Sequence, residues 1–240
     1  MNILVTGGAS GLGKSITINL LKNKNNKVYF TFCGSKENAD KISSEFCNSK
    51  PIKCDFKNLD SVNSLCDTID EINLDVLINN AYSGNAINKY FHKNNIDDFS
   101  NDFLTNIIPT ILITQSAISY FKKQKKGKII TILTSFLINS PPIGSSLYVA
   151  NKAYLKSLTK SWAHENKKFN ITSNSVSPSF MRTNFTSDVD LRIIDQIIKD
   201  NPLKRILSTK EAAESVSFLV NCSQHVNGVD LVINSANNIN

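Results

Sequence analysis

The chain predicts an α/β fold, a doubly wound parallel sheet of about seven strands with helices on both faces. Three observations lead there. Short apolar runs alternate with helical patterns from one end to the other, the rhythm of consecutive βαβ units. Most of those runs are continuously apolar, as strands covered on both faces are. A glycine-rich turn, ILVTGGASGLGKS from Ile3 to Ser15, joins the first run to the first helical pattern. Turns of this kind bring backbone N–H groups and a helix N-terminus against phosphate oxygens.

The elements follow in order. Residues 2–6 are the first strand and 12–24 the first helix. Residues 27–32 and 36–47 make the second pair, and 51–55 and 59–72 the third. The fourth strand, 74–79, ends in Asn79-Asn80 and is followed by a long helix over 96–123. The fifth strand, 127–134, leads into SPPIGSS at 140–146 and then a helix over 147–166. That loop lies at the C-terminal edge of its strand, where open α/β sheets bind ligands. Strand 170–176, helices 189–199 and 209–221 and strand 229–234 complete the pattern. Ser208 and Glu211 form a capping box for the helix at 209. No linker, repeat or low-complexity segment divides the chain, so residues 1–240 read as one domain.

Composition narrows the function. Of 240 residues, 41% are apolar and 20% charged, an ordinary globular balance. No apolar run approaches the roughly 18 residues of a membrane span, and a strand beginning at Asn2 leaves no room for a targeting peptide. Five cysteines, an odd number without a C-x-x-C pair, fit reduced thiols in the cytoplasm. The three histidines lack metal-ligand spacing, so no metal centre is expected. The net charge of +7 comes mostly from lysines, clustered at 22–27 and 122–128. They suit either an acidic partner or solvated helix ends. No nucleic-acid motif accompanies them.

The glycine turn fits two phosphate-binding motifs. Gly8 to Ser15 is a literal G-x-x-x-x-G-K-S, a Walker A pattern. Thr6 to Gly13 is T-G-x-x-x-G-x-G, a variant dinucleotide turn. The first reading needs an aspartate at the end of another apolar strand to share Mg²⁺ with Ser15. Asp55 is the candidate, on a short strand interrupted by lysine. The fourth strand, better buried, ends in asparagines, which are poor Mg²⁺ ligands. Lys14 and Ser15 also read as ordinary first-turn residues.

The second reading is supported far along the chain. T-G-x-x-x-G-x-G, Asn79-Asn80-Ala81, Ser135 after the fifth strand and Y-x-x-x-K at Tyr148–Lys152 together resemble the short-chain dehydrogenases/reductases. Ser135 lies 13 residues before Tyr148, as in that family, and Asn106 sits where the family places a fourth catalytic residue. The resemblance covers essentially the whole chain and implies a Rossmann-like sheet. It looks most like the 3-oxoacyl-carrier-protein reductases.

The residue types suit carbonyl reduction. Hydride arriving at a carbonyl carbon leaves charge on its oxygen, which needs a proton. A phenol near pKa ~10 is a poor acid or base at neutral pH. A lysine four residues on shares its helix face, and its ammonium is expected to stabilise the Tyr148 tyrosinate. The resemblance implies that Lys152 also bonds the nicotinamide ribose. It further implies that Ser135 orients the substrate oxygen and that Asn106 holds a water linking the lysine to solvent.

For the cofactor, Gly7, Ser10, Gly11, Leu12 and Gly13 would hold the pyrophosphate. An NAD site carries an acidic residue about 20 positions after the glycines. Here Cys33, Gly34, Ser35 and Lys36 stand instead. With no carboxylate to repel a 2′-phosphate, and with Ser35 and Lys36 able to bind it, NADP(H) is favoured over NAD(H). The resemblance places Asp55 and Phe56 near the adenine, Asn79, Asn80 and Ala81 along the adenosine side, and Pro178 and Thr183 near the nicotinamide, beside Tyr148 and Lys152.

Three sites depart from the family. Its N-N-A-G reads Asn79-Asn80-Ala81-Tyr82, its P-G is Pro178-Ser179, and its D-G-G is Asn234-Ser235-Ala236. Residues 184–201 take the substrate-lid position; Val189, Leu191, Ile193, Ile194, Ile197 and Ile198 suit either a lid or a packed helix. The expected substrate is a small-molecule or carrier-bound carbonyl. Alternatives are a sugar or secondary-metabolite ketoreductase and a non-catalytic NADP-binding regulator. The resemblance also implies a homotetramer or homodimer, joined through the helices at 96–123 and 147–166.

Overall fold

The computed structural model describes residues 1–87, 89–138 and 140–237. The strands are β1 (Asn2–Val5), β2 (Lys27–Phe32), β3 (Ser49–Lys53), β4 (Val76–Asn79), β5 (Gly127–Ile132), β6 (Ile171–Pro178) and β7 (Asp230–Ile233). The helices are α1 (Gly11–Leu21), α2 (Lys36–Glu45), α3 (Leu59–Glu71), α4 (Ile96–Gln124), α5 (Ser146–Asn166), α6 (Leu191–Asp200) and α7 (Thr209–Asn221). Among the described residues no helix is long and apolar enough to cross a membrane.

The seven strands form one sheet in the order β3-β2-β1-β4-β5-β6-β7, every pair parallel. The expected Rossmann-like fold is therefore present. The order reverses between β1 and β4, opening a crevice at their C-terminal ends.

Period-two alternation divides the core. Ile3 and Val5 of β1 face α1, α2 and α7, packing with Ile16, Leu20, Ile42 and Val216. Leu4 faces the other way, toward Leu65 and Ile69 of α3, Phe121 of α4 and Trp162 of α5. Strand β6 is fully buried yet largely polar. Three of its polar side chains find partners in the segment leading into β7: Asn174 Nδ2 donates to Val226 O at 2.8 Å, and Ser175 and Ser177 donate to Asp230 Oδ1 at 2.9 and 2.8 Å. Asp230 in turn pairs with Lys156 at 3.0 Å. Buried hydroxyls need such partners.

Several element ends differ from the sequence expectation, each for a local reason. The strand expected at 51–55 runs Ser49–Lys53. It ends where Asp55 N leaves the sheet to bond Ser61 Oγ at 3.1 Å. Pro51 is tolerated there because β3 is an edge strand. The fifth strand stops at Ile132, because Thr134 caps a 3₁₀ turn over Ser135–Leu137. The helix expected from 189 begins at Leu191, with the Asp190 carboxylate accepting from Arg192 N at 2.8 Å. Ser208 and Glu211 do form the capping box of α7.

Candidate active site

The crevice at the strand ends is a cavity of about 540 Å³, lined from the glycine turn through β2 and β3 to residues after β6. Its phosphate end is built on the turn between β1 and α1. Gly7 and Gly11 adopt φ of +65° and +50°, conformations that favour glycine. Gly13 packs so closely that a Cβ would lie 2.0 Å from Gly7 O and 2.5 Å from Asn80 Nδ2.

The turn is tied to neighbouring strands. Asn80 Nδ2 donates to Thr6 O (2.9 Å) and Gly7 O (3.2 Å), and Gly7 N donates to Thr31 Oγ1 (2.8 Å). Ser10 is the N-cap of α1, and its side chain makes no capping bond. The first amides of α1 thus keep their donors for an anion.

The Walker A alternative finds no support in this geometry. Ser15 Oγ donates to Thr209 Oγ1 of α7 at 2.7 Å, and neither Lys14 nor Ser15 lines the cavity.

Most expected cofactor residues line this cavity: Gly7, Ser10, Gly11, Leu12, Gly13, Cys33, Ser35, Asp55, Phe56, Asn80, Ala81, Pro178 and Thr183. Two do not. Asn79 is buried in β4, donating to Thr114 Oγ1 at 2.9 Å, which makes it a sheet-to-α4 tie. Lys36 is exposed at the start of α2, outside the lining. A dinucleotide suits the residues present, because the glycine cradle leaves no room for a side chain at Gly13 and one cavity joins it to Tyr148 and Lys152.

At the other end, Tyr148 and Lys152 come together on α5. Lys152 is buried, and its Nζ donates to Ile132 O at 2.7 Å. The ammonium lies 5.7 Å from the centre of the Tyr148 ring. Burial pulls the Lys152 ammonium down from 10.5 to about 7 and pushes the Tyr148 phenol up to about 12. A hydrogen bond with the Thr134 side chain works the other way on the phenol.

This corrects the expectation that Lys152 lowers the tyrosine's pKa. In this structure desolvation dominates both groups, and the lysine's bond goes to a backbone carbonyl rather than to the phenol.

The Lys152 shift has a signed consequence. Between about pH 7 and 10.5 the unfolded chain holds a proton on this lysine that the folded chain does not. Its contribution to stability therefore rises with pH across that window. Guanidinium unfolding at pH 7 and pH 9 should show Lys152→Met with a flatter pH slope than the natural chain. Parallel slopes would contradict the burial effect.

Ser135 and Asn106 sit differently from Tyr148. Ser135 is buried at the first position of the 3₁₀ turn; its neighbours Thr134 and Phe136 line the cavity, and Ser135 does not. Asn106, on α4, uses its amide on the loop after β4. Oδ1 accepts from Ser83 N at 2.6 Å, and Nδ2 donates to Ser83 O at 3.2 Å and to Asp102 Oδ1 at 3.1 Å.

Four further residues shape this end. Tyr82 stacks edge-on to Tyr148, with centroids 5.1 Å apart at 86°. Phe185, from the segment before α6, contacts both rings at 5.9 and 5.5 Å. Asp102 and Asn151 hold the Tyr82 hydroxyl. Helical spacing carries a signal for the last two, since Asp102 precedes Asn106 by one turn and Asn151 follows Tyr148 by three residues.

A family model described as short chain dehydrogenase matches residues 1–192. The 3-oxoacyl-(acyl-carrier-protein) reductase of Aquifex aeolicus is 30% identical over 242 residues, covering 94% of this chain and 95% of that one. The protein of the same name from Thermotoga maritima is 29% identical over 223 residues, covering 90% and 88%. Among solved structures, a putative betaketoacyl-ACP reductase superposes with a TM-score of 0.86 at 27% identity, covering 98% of this chain and 96% of that one. ElxO, solved with NADPH bound, superposes at 0.87 with 25% identity, covering 98% of each.

Proposed function

The chain belongs to the short-chain dehydrogenase family, and from that premise we propose that it reduces a ketone to a secondary alcohol with NADPH, or runs the reverse. Family membership makes it an oxidoreductase. The observation that carries the finer reading is one continuous cavity joining a glycine cradle to Tyr148 and Lys152.

In this reading Gly7, Gly11, Gly13 and the α1 amides hold the pyrophosphate, and Asp55 and Phe56 flank the adenine. The nicotinamide, when bound, supplies or accepts the hydride. Tyr148 gives the proton to the carbonyl oxygen as charge develops there. Lys152 binds the nicotinamide ribose and restores the tyrosine's proton. Ser135 orients the substrate oxygen once the 3₁₀ turn adjusts. Asn106 fixes the loop at residue 83 and so the shape of the site. Residues 184–201 act as the lid, supported by Asn184, Phe185 and Val189 in the cavity wall.

A 3-oxoacyl group on an acidic carrier protein is the substrate this reading favours. Its support is the printed activity of the relatives and the net charge of +7. A second reading, a secondary-metabolite ketoreductase, draws on the aromatic wall of Tyr82, Phe136, Phe180 and Phe185, which favours apolar planar ketones over sugars. The proposal extends to one functional unit over the chain, assembly as a homotetramer or homodimer through α4 and α5, and a cytoplasmic site of action, where the five free cysteines would stay reduced.

Fluorescence titration tests the cofactor preference. NADPH should bind at least about tenfold more tightly than NADH, a gap of roughly 1.4 kcal/mol. Equal affinities would remove the preference read from the missing carboxylate at Cys33–Lys36 and from Ser35 in the cavity wall. NADPH absorbance with an acetoacetyl thioester and with bicyclic aromatic ketones then separates the substrate readings, and turnover of neither class would sink carbonyl reduction.

A further inference from the structure

We propose that Tyr82 is a positioning residue for the Tyr148–Lys152 pair: its ring face carries the Lys152 ammonium, and its hydroxyl, tied to α4 and α5, fixes the ring in place. The inference rests on the reading above that this pair does the chemistry. It assigns a task to a side chain standing where the resembling family has glycine.

The geometry has two halves. The Tyr82 hydroxyl donates to Asp102 Oδ2 at 2.7 Å. Asn151 Nδ2 donates to the same carboxylate oxygen at 2.7 Å and reaches the Tyr82 oxygen at 3.4 Å. Asn106 holds the other carboxylate oxygen at 3.1 Å. The hydroxyl is thus anchored to two helices at once. The ring so fixed has Lys152 Nζ 4.9 Å from its centroid and Tyr148 edge-on at 5.1 Å.

Lys152 needs such a neighbour. It is buried, its hydrogen bond to Ile132 O is to a neutral acceptor, and a buried ammonium without compensation loses its proton. A π-face supplies negative potential without a formal charge. A phenol donating to a carboxylate is a richer face still, because the bond pushes electron density into the ring. The titratable groups around Lys152 are Tyr82 from the loop after β4, Tyr148 one turn earlier on α5 and Asp102 on α4, which reaches it through the Tyr82 ring. Tyr82 therefore keeps more of Lys152 protonated near neutrality than burial alone would. It does so without an ion pair that would pull the ammonium away from Tyr148.

The test is a direct titration of Lys152 in protein free of nucleotide. Lysine labelled with ¹³C at Cε is followed against pH by NMR, and the Lys152 resonance is assigned by its loss in Lys152→Met. Tyr82→Leu removes the face and should lower the Lys152 midpoint by about one pH unit, roughly tenfold in its protonation equilibrium. Tyr82→pentafluorophenylalanine keeps a ring of similar shape but inverts its quadrupole. It should lower the midpoint similarly, which covers the case in which the leucine variant folds poorly. Tyr82→Phe keeps the face and should shift the midpoint by less than half as much. An unchanged midpoint in the leucine or the pentafluoro variant would overturn the proposal, as would a phenylalanine shift as large as leucine's. The titration needs no turnover. Its failure would leave carbonyl reduction standing, and a chain that reduces no carbonyl would leave the titration result intact.

Discussion

Tyr148→Phe is expected to lower carbonyl-reduction turnover by about 100- to 10,000-fold, the usual contribution of a positioned acid or base. NADPH affinity should stay within about threefold, a change of roughly 0.7 kcal/mol. The variant removes one oxygen and leaves the ring, so the edge-on contact with Tyr82 at 5.1 Å and the tilted contact with Phe185 at 5.5 Å persist. Steady-state kinetics paired with fluorescence titration separates the two effects. A variant that keeps full turnover would take Tyr148 out of the chemistry. A variant that loses NADPH affinity along with turnover would make the oxygen a binding group instead.

Gly13→Ala is the second large effect. The new Cβ would sit 2.0 Å from Gly7 O and 2.5 Å from Asn80 Nδ2, both part of the turn's own bracing. Neither neighbour is a flexible side-chain end free to swing away, since Asn80 also bonds Thr6 O. The turn must open, and overpacking of this kind costs about 1–3 kcal/mol. Because the displaced groups form the phosphate cradle, nucleotide affinity should fall by about 10- to 100-fold. Gly34→Ala is the control for stability: nothing lies within 4 Å of its added Cβ, so its unfolding midpoint should hardly move. Equal melting temperatures and NADPH affinities for Gly13→Ala and the natural chain would show that the cradle is not close-packed.

Much of the fold was legible because its signals are local. Short, mostly apolar runs marked all seven strands to within two residues. The Ser208–Glu211 box marked the start of α7, because capping is decided within four residues. Buried polar strand β6 was the least apolar of the runs. Its stability comes from Asp230 and Val226, more than 50 positions away, and no local pattern announces such partners.

The candidate site was legible in part. Gly7, Gly11, Gly13, Tyr148 and Lys152 stand out by spacing, since the turn and the helix face each need those residue types at those intervals. Asn79 and Asn80 look alike in sequence, yet one braces α4 through Thr114 and the other braces the glycine turn. Successive residues of an extended chain point to opposite faces, and only the packed sheet shows which face is the crevice. In the sequence Tyr82 was only a departure from the family's glycine, whereas in the structure its hydroxyl is anchored on α4 and α5 and its ring faces Lys152.

By itself, the sequence determined the α/β class, the parallel order of its units, the phosphate-binding turn and the Tyr148–Lys152 helix face, all properties of periodicity and short-range geometry. The sequence also favoured the dinucleotide reading of the glycine turn, through motifs far along the chain, and the tertiary structure added only that Ser15 is seated on Thr209 of α7. The tertiary structure alone set the direction in which Tyr148 and Lys152 shift, by burying both. Desolvation depends on everything that surrounds a group, and those surroundings are assembled from segments far apart in the chain.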